Sequence, residues 1–351
     1  SSIQSKAPKA SVEIEMTIPN NPIRIAIIGY GGSGKVSHAA IVQKNSDFQL
    51  KAVSDISPER REAAQKELGC PTFDSHESIL ENASEFDLVS VVTRSNTHCP
   101  IAVECLEAGL HVVVTKPWAL DESEARLMID AQRSSGKRLF PWAPMLWSPE
   151  FLKIQEIIES GALGKVFLVR RYINQFWRRH DWQTESKFGG GYLLNWGMHI
   201  VQPILDIVPS PAIRAYGQLQ QTINPGDAED NFMAVLEFEN GCRGVAEFTQ
   251  AIEGLPSFMV QGDRGILVSE GETIKLLKSD PSDTEPPKRI SINVEGKRFG
   301  DEAAIYADIA ANLQNNTPFA ATVENALYGT IVLDAIRESH ETRSTVTIAP
   351  H

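Results

Sequence analysis

The sequence predicts an α/β chain in two parts. Residues 22–143 read as a doubly wound parallel sheet, and residues 144–351 as a second domain in which strands prevail. Three observations carry this. An apolar run, Ile23 to Ile28, ends in glycines at 29, 31 and 34, the G-x-G-x-x-G spacing of a dinucleotide-binding turn. Short apolar runs then alternate with helical patterns as far as Trp142. From about Pro144 the pattern shifts to period-two segments separated by turns, which predicts a largely antiparallel sheet.

In the opening turn, Gly29 permits the tight bend, Gly31 lets backbone approach a pyrophosphate, and Gly34 lets helix 34–44 pack on the strand. Gly32 and Ser33 complete the turn residues expected at the cofactor. Gly29 to Lys35 also reads G-x-x-x-x-G-K, the start of a P-loop, but that motif needs Ser or Thr next to hold magnesium, and Val36 has no oxygen. Strand 48–55 ends in Asp55, 21 residues beyond Gly34, close to the spacing of roughly 20 expected for a ribose-binding acid. A carboxylate there accepts ribose hydroxyls and repels a 2′-phosphate, which favours NAD over NADP. The competing role for Asp55 is a cap for the helix begun by Ser57-Pro58-Glu59. Arg60 and Arg61 either soften the preference for NAD or are solvated helix charges.

Helices are expected at 58–68, 98–108 and 121–134, and strands at 86–92, 110–115 and 138–142. Ligands bind at the carboxyl ends of such strands. Thr93-Arg94-Ser95-Asn96-Thr97-His98 and Thr115-Lys116-Pro117-Trp118 fall there, making Thr93, Asn96, His98, Lys116 and Pro117 cofactor-binding candidates. Pro117 cannot donate to a ladder, so the strand stops at Lys116. The ammonium then either meets a ligand or snorkels to solvent.

Beyond Pro144, helix 149–159 and strand 165–175 precede a segment, 176–183, dense in aromatic and basic groups. Trp177, Arg178 and Trp182 suit a polyhydroxylated ligand, with C–H faces for the rings and hydroxyls for the cation; alternatively the tryptophans pack under the domain. Gly189-Gly190-Gly191 permits close backbone approach and leads into a helix running to about Ile207. Asn195 and His199, four apart, share a face of it, and a histidine can carry a proton to or from a hydroxyl. Strands are expected at 212–220, 231–238, 241–250, 257–261, 266–269 and 273–277, then a polar loop at 278–288, helices at 302–315 and 323–339, and a short strand at 345–348.

The bulk numbers narrow the class. A net charge of −12 argues against a nucleic-acid partner. The four cysteines lack metal-ligand spacing, so no metal is expected, and reduced thiols suit a cytoplasmic protein. No run approaches the roughly 18 apolar residues of a membrane span. Residues 1–21 lack the apolar core of a signal peptide and read as a tail, or as an arm packing on a neighbouring subunit.

The glycine turn, Asp55, Thr93 through His98, Lys116-Pro117, the triplet Gly189 to Gly191 and His199 stand in an order that resembles the glucose–fructose oxidoreductase / inositol dehydrogenase family (Gfo/Idh/MocA) from about Pro22 onward. The resemblance implies an N-terminal Rossmann domain and a C-terminal α+β domain. It implies that the large open, mostly antiparallel sheet of the latter is a subunit interface, hence a homodimer or homotetramer. It further implies hydride transfer between NAD(P) and a secondary alcohol carbon of a sugar, polyol or cyclitol. Lys116 matches the lysine of the family's Glu-Lys-Pro and would bind the reacting oxygen; His199 matches the usual proton acceptor. The substrate-binding set is then Lys116, Trp177, Arg178, Trp182, Asn195 and His199.

Four positions depart from that pattern. Thr115 replaces the glutamate, Arg94 a proline, Asn195 an aspartate, and Gln202 stands where another aspartate is frequent. Asparagine orients a hydroxyl but is no base at pH 7. Without nearby negative charge the Lys116 pKa should fall. The chemistry then leans on His199, or the substrate brings its own charge. The leading expectation is an NAD-dependent sugar or polyol dehydrogenase with Lys116, His199 and Asn195 as the catalytic set. The alternatives are tightly held NAD used for redox-assisted elimination or glycoside cleavage, and an inactive dinucleotide-binding protein.

Overall fold

The computed structural model describes residues 22–282 and 284–349, so the expected tail or arm at 1–21 lies outside the described residues. Six parallel strands form the first sheet: β1 (Ile23–Ile28), β2 (Phe48–Ser54), β3 (Thr72–Phe73), β4 (Leu88–Val91), β5 (His111–Val114) and β6 (Leu139–Pro141). Their order is β3-β2-β1-β4-β5-β6. All residues of β4 and β5 are buried, as a sheet covered on both faces requires. Winding reverses between β1 and β4, which opens a ligand crevice at their carboxyl ends.

The glycine turn is followed by a π-helical stretch, Gly34–Ala39, continuing as α1 (Ala40–Val42). Helix α2 (Pro58–Leu68) starts at Ser57, whose hydroxyl caps Arg60 N, and stops at left-handed Gly69. Helices α3 (His76–Leu80), α4 (His98–Glu107) and α5 (Glu122–Ser135) complete the N-terminal set. Helix α6 (Pro149–Glu159) leads to the second sheet, and α7 (Tyr192–Ile207) lies against it. Helices α8 (Glu302–Asn315) and α9 (Val323–Thr342) return to the first sheet. Ile305, Tyr306, Ile309 and Leu313 of α8 join Val42 and Ala64 on one face of that sheet. Val323 and Ala326 of α9 join Leu106 and Met128 on the other.

The second sheet has nine strands: β7 (Val166–Gln175), β8 (Ala212–Gln220), β9 (Asn231–Phe238), β10 (Arg243–Gln250), β11 (Phe258–Gly262), β12 (Gly265–Ser269), β13 (Thr273–Lys278), β14 (Lys288–Asn293) and β15 (Val346–Thr347). They run in the order β14-β13-β12-β11-β7-β10-β9-β8-β15. All pairs are antiparallel except β7 with β10, which follow each other through α7 and a hairpin.

Three elements were not expected: β3, α3 and the edge strand β14. Each is short or carries few apolar residues, and β14, charged at its start and paired only with β13, takes its strand form from that partner. The expected loop at 278–288 therefore ends at a strand.

Candidate active site

The glycine turn separates positions that the chain itself constrains from positions that it leaves open. A Cβ on Gly29, at φ +103°, would lie 2.5 Å from Val92 O, and one on Gly34 2.0 Å from Gly29 O. A Cβ on Gly31 would meet nothing nearer than the Arg60 guanidinium at 3.7 Å, and one on Gly32 nothing within 4 Å. The fold thus demands glycine at 29 and 34 and leaves open space over 31 and 32. Ser33 is exposed and makes no capping bond. Tyr30, Gly31, Gly32, Lys35 and Arg60 line an open cavity of about 280 Å³.

Asp55 lies at the end of β2 and is 7% exposed. Its Oδ2 accepts from Tyr30 N at 2.7 Å and its Oδ1 from Ser57 N at 2.9 Å. Ser57, rather than Asp55, caps α2. Arg60 Nη1 sits 3.5 Å from Asp55 Oδ2 and Arg61 donates to Asp55 O, so both arginines turn toward the acid.

The loops after β4 and β5 are tied together by His98. It is 1% exposed, with Nδ1 2.7 Å from Pro117 O and Nε2 3.1 Å from Thr93 O. Each ring nitrogen faces a carbonyl oxygen, and the one N–H of the neutral ring donates to one of them, so the imidazole spans the two loops. Thr93 Oγ1 accepts from Thr97 Oγ1 at 2.8 Å. Asn96 Oδ1 is buried without a hydrogen-bond partner, a cost that a bound ligand donor removes. The open glycines, Asp55 and this unpaired oxygen together fit a dinucleotide. Arg94 stacks 4.3 Å over Phe188, and a Cβ on Gly189 would lie 2.8 Å from Ser95 Cβ. The glycine triplet thereby presses the second domain onto the β4 loop.

Lys116 follows β5, and its bond to Pro117 is cis. Its ammonium donates to Asn195 Oδ1 at 2.5 Å and Asn195 O at 3.2 Å, and lies 5.5 Å from the Trp196 ring centroid. Burial, reinforced by Arg179, lowers its pKa to about 8, as the missing negative charge predicts. His199 is 6% exposed, one helical turn from Asn195, with its ring 5.6 Å from Trp196. Burial, then the charges of Lys116 and Arg171, hold it well below its ordinary value, so it is neutral at pH 7. No group among the described residues hydrogen-bonds its ring, which leaves it free to take a proton.

The aromatic-basic segment divides. Trp177 is 57% exposed and Arg178 is exposed too, whereas Trp182 is half-buried. It is Arg179, forked onto Asp181 at 3.0 and 2.6 Å, whose charge reaches Lys116. Gln202 faces inward, donating to Asp206 Oδ1 at 2.8 Å. Sequence reasoning missed Arg179, Arg171, Glu229 and the clamp behind Lys116. Glu229 accepts from Leu193 N at 3.0 Å and fixes the start of α7. The clamp comes from α9: Thr330 accepts from Trp118 Nε1 at 2.9 Å, and Asp334 from Glu122 N at 2.8 Å. No local pattern announces these partners, which lie up to 212 residues apart.

A parallel sheet in this strand order, with an open glycine turn after β1 and an unpaired buried amide oxygen after β4, defines a protein of the NAD(P)-binding class. The chain belongs to the GFO/IDH/MocA family. Residues 23–142 match its oxidoreductase, NAD-binding Rossmann-fold model and residues 151–268 its C-terminal domain model. It is 25% identical over 271 residues to myo-inositol 2-dehydrogenase of Thermotoga maritima, covering 74% of this chain and 80% of that one. It is also 25% identical over 218 residues to the NADP-dependent scyllo-inositol 2-dehydrogenase IolW of Bacillus subtilis, covering 62% of this chain and 60% of that one. An NAD-binding protein of Listeria innocua, 25% identical, superposes with a TM-score of 0.82 over 93% of this chain and 97% of that one. No helix among the described residues is long and apolar enough to cross a membrane.

Proposed function

We propose that the protein is an NAD-dependent dehydrogenase of a sugar, polyol or cyclitol. The observation that carries this is the meeting of the Lys116 ammonium and the neutral, unbonded His199 imidazole at the carboxyl end of the parallel sheet. Gly31, Gly32, Ser33, Asp55 and Asn96 would hold the dinucleotide. When bound, NAD supplies the hydride acceptor. Lys116 Nζ binds the carbinol oxygen and offsets the negative charge that develops on it. His199 takes the hydroxyl proton on a ring nitrogen, and Asn195 Oδ1 keeps the ammonium aimed. The dehydrogenase relatives support this reading.

Lys116→Met and His199→Asn should each lower kcat by about 10²–10⁴-fold while NADH still binds, measured by turnover beside NADH fluorescence titration. Either variant turning over at the wild-type rate overturns the assigned role.

We assign NAD as the preferred cofactor because Asp55 is held by two backbone N–H groups where a ribose would sit. The outer face of the second sheet favours self-association. Leu168, Met233, Val235, Val245, Met259 and Ile266 lie on it, only half-buried or exposed. Sedimentation of wild type should give a dimer or tetramer, and Val235→Lys should shift it toward monomer.

A further inference from the structure

The centre around Lys116 and His199 gathers positive charge, and no acid balances Lys116. Lys116 Nζ is met by two neutral oxygens of Asn195. Arg171 of β7 is 0% exposed. Its guanidinium donates to His199 O at 3.4 Å and Ser257 O at 3.0 Å, and stacks 4.1 Å over Phe258. Neither cation forms an ion pair among the described residues.

The surrounding charged groups do not supply one. Arg179 acts on Lys116 from the loop after β7 and is itself matched by Asp181. Glu150, buried with Oε1 on the hydroxyls of Ser257 and Ser269 and Oε2 unpaired, partly offsets Arg171, and Arg298 opposes it; Lys116 has no such acid. Glu229, which precedes β9 and accepts from Leu193 N, feels Arg337 and Asp230. Two cations therefore bear on His199 together.

This matters to proton transfer. A proton on His199 adds positive charge beside Lys116, whose own charge is uncountered, and buried charge is costly unless countered. A neutral polyol brings no counter-charge. An anion beside the reacting carbon does, attracting Lys116 and stabilising the imidazolium at once. Of the two cations, Arg171 is sealed from solvent and Lys116 is not, so the anion must reach Lys116, next to the oxygen it binds. A carboxylate one or two carbons from the carbinol meets that demand.

We propose that the substrate is a polyhydroxylated carboxylate, a sugar acid whose carboxylate supplies the counter-charge absent at Asn195. This rests on the dehydrogenase reading above. The test is calorimetric binding to the NADH-loaded protein, beside initial rates with NAD, using glucuronate and gluconate against glucose and myo-inositol, with glucose 6-phosphate as a third arm. Wild type should bind an acid at least 10-fold tighter than its neutral counterpart, and the margin should shrink with added salt. Asn195→Asp should erase the margin by weakening the acid, whereas Asn195→Ser, which adds no charge, should keep it. Neutral polyols binding as tightly as the acids overturns the inference and leaves the dehydrogenase reading standing. Preference for the phosphate ester overturns the carboxylate assignment. No binding and no oxidation of any class removes the dehydrogenase reading and the inference with it.

Discussion

The two ends of the site are held in opposite ways. At the glycine turn the chain satisfies itself: Asp55 takes two backbone N–H groups and has a cation at 3.5 Å, and the glycines that the fold requires are pressed against the turn itself and the end of β4. At Lys116 and His199 the groups come from β5, β7 and α7, and their charges add rather than cancel. A binding end is built to be stable without its ligand. A chemical end keeps unspent electrostatic demand, which a ligand then meets.

The sharpest way to break this contrast is within the turn itself. Gly34→Ala places a Cβ 2.0 Å from Gly29 O and should cost about 3 kcal/mol or more, seen as lost soluble protein or a large fall in Tm. Gly32→Ala, with nothing within 4 Å, should leave Tm nearly unchanged and weaken NADH alone. If Gly34→Ala folds normally, the turn is not self-constrained as described.

A smaller effect tests the chemical end. Lys116 titrates near 8 while His199 stays neutral down to well below 6.5. The ammonium is the active form, so kcat/KM for oxidation should be flat from about pH 6.5 and fall as pH rises through 8, roughly tenfold per unit beyond it. The alkaline limb should vanish from the residual rate of Lys116→Met; a limb that persists there belongs to another group.

The smallest effect concerns Arg60, half-exposed beside Asp55. Exposed pairs contribute about 0.2–1 kcal/mol, so Arg60→Ala should move KM for NAD by less than about fivefold. KM for NADP should rise more, because that arginine is the cation nearest the acid that repels a 2′-phosphate. Equal losses for both cofactors make Arg60 a general phosphate contact instead.

What the sequence made legible follows the same division. Helices Pro58–Leu68, Pro149–Glu159 and Glu302–Asn315 and strands Ala212–Gln220 and Asn231–Phe238 fall where periodicity and caps place them. The glycine turn and Asp55 were readable because their spacing is a property of one βαβ unit. Lys116, Asn195 and His199 were named from a strand end, a helix face and the family resemblance, and the fold brings them together. Arg171 was invisible, because an arginine in a strand reads as solvent-facing until the opposite sheet face is known. Arg179 was passed over for Arg178, since only loop geometry decides which of two adjacent arginines turns inward.

Helices α8 and α9 have a consequence for how the chain is made. They supply apolar residues to both faces of the first sheet, yet they lie after residue 300. On the ribosome, which releases the chain from its N-terminus, the six parallel strands emerge long before that cover. The nucleotide-binding half therefore draws part of the cover of each sheet face from outside its own residues. A chain stopped before Asp301 carries every glycine of the fingerprint but leaves part of each sheet face bare and Trp118 without its partner on α9.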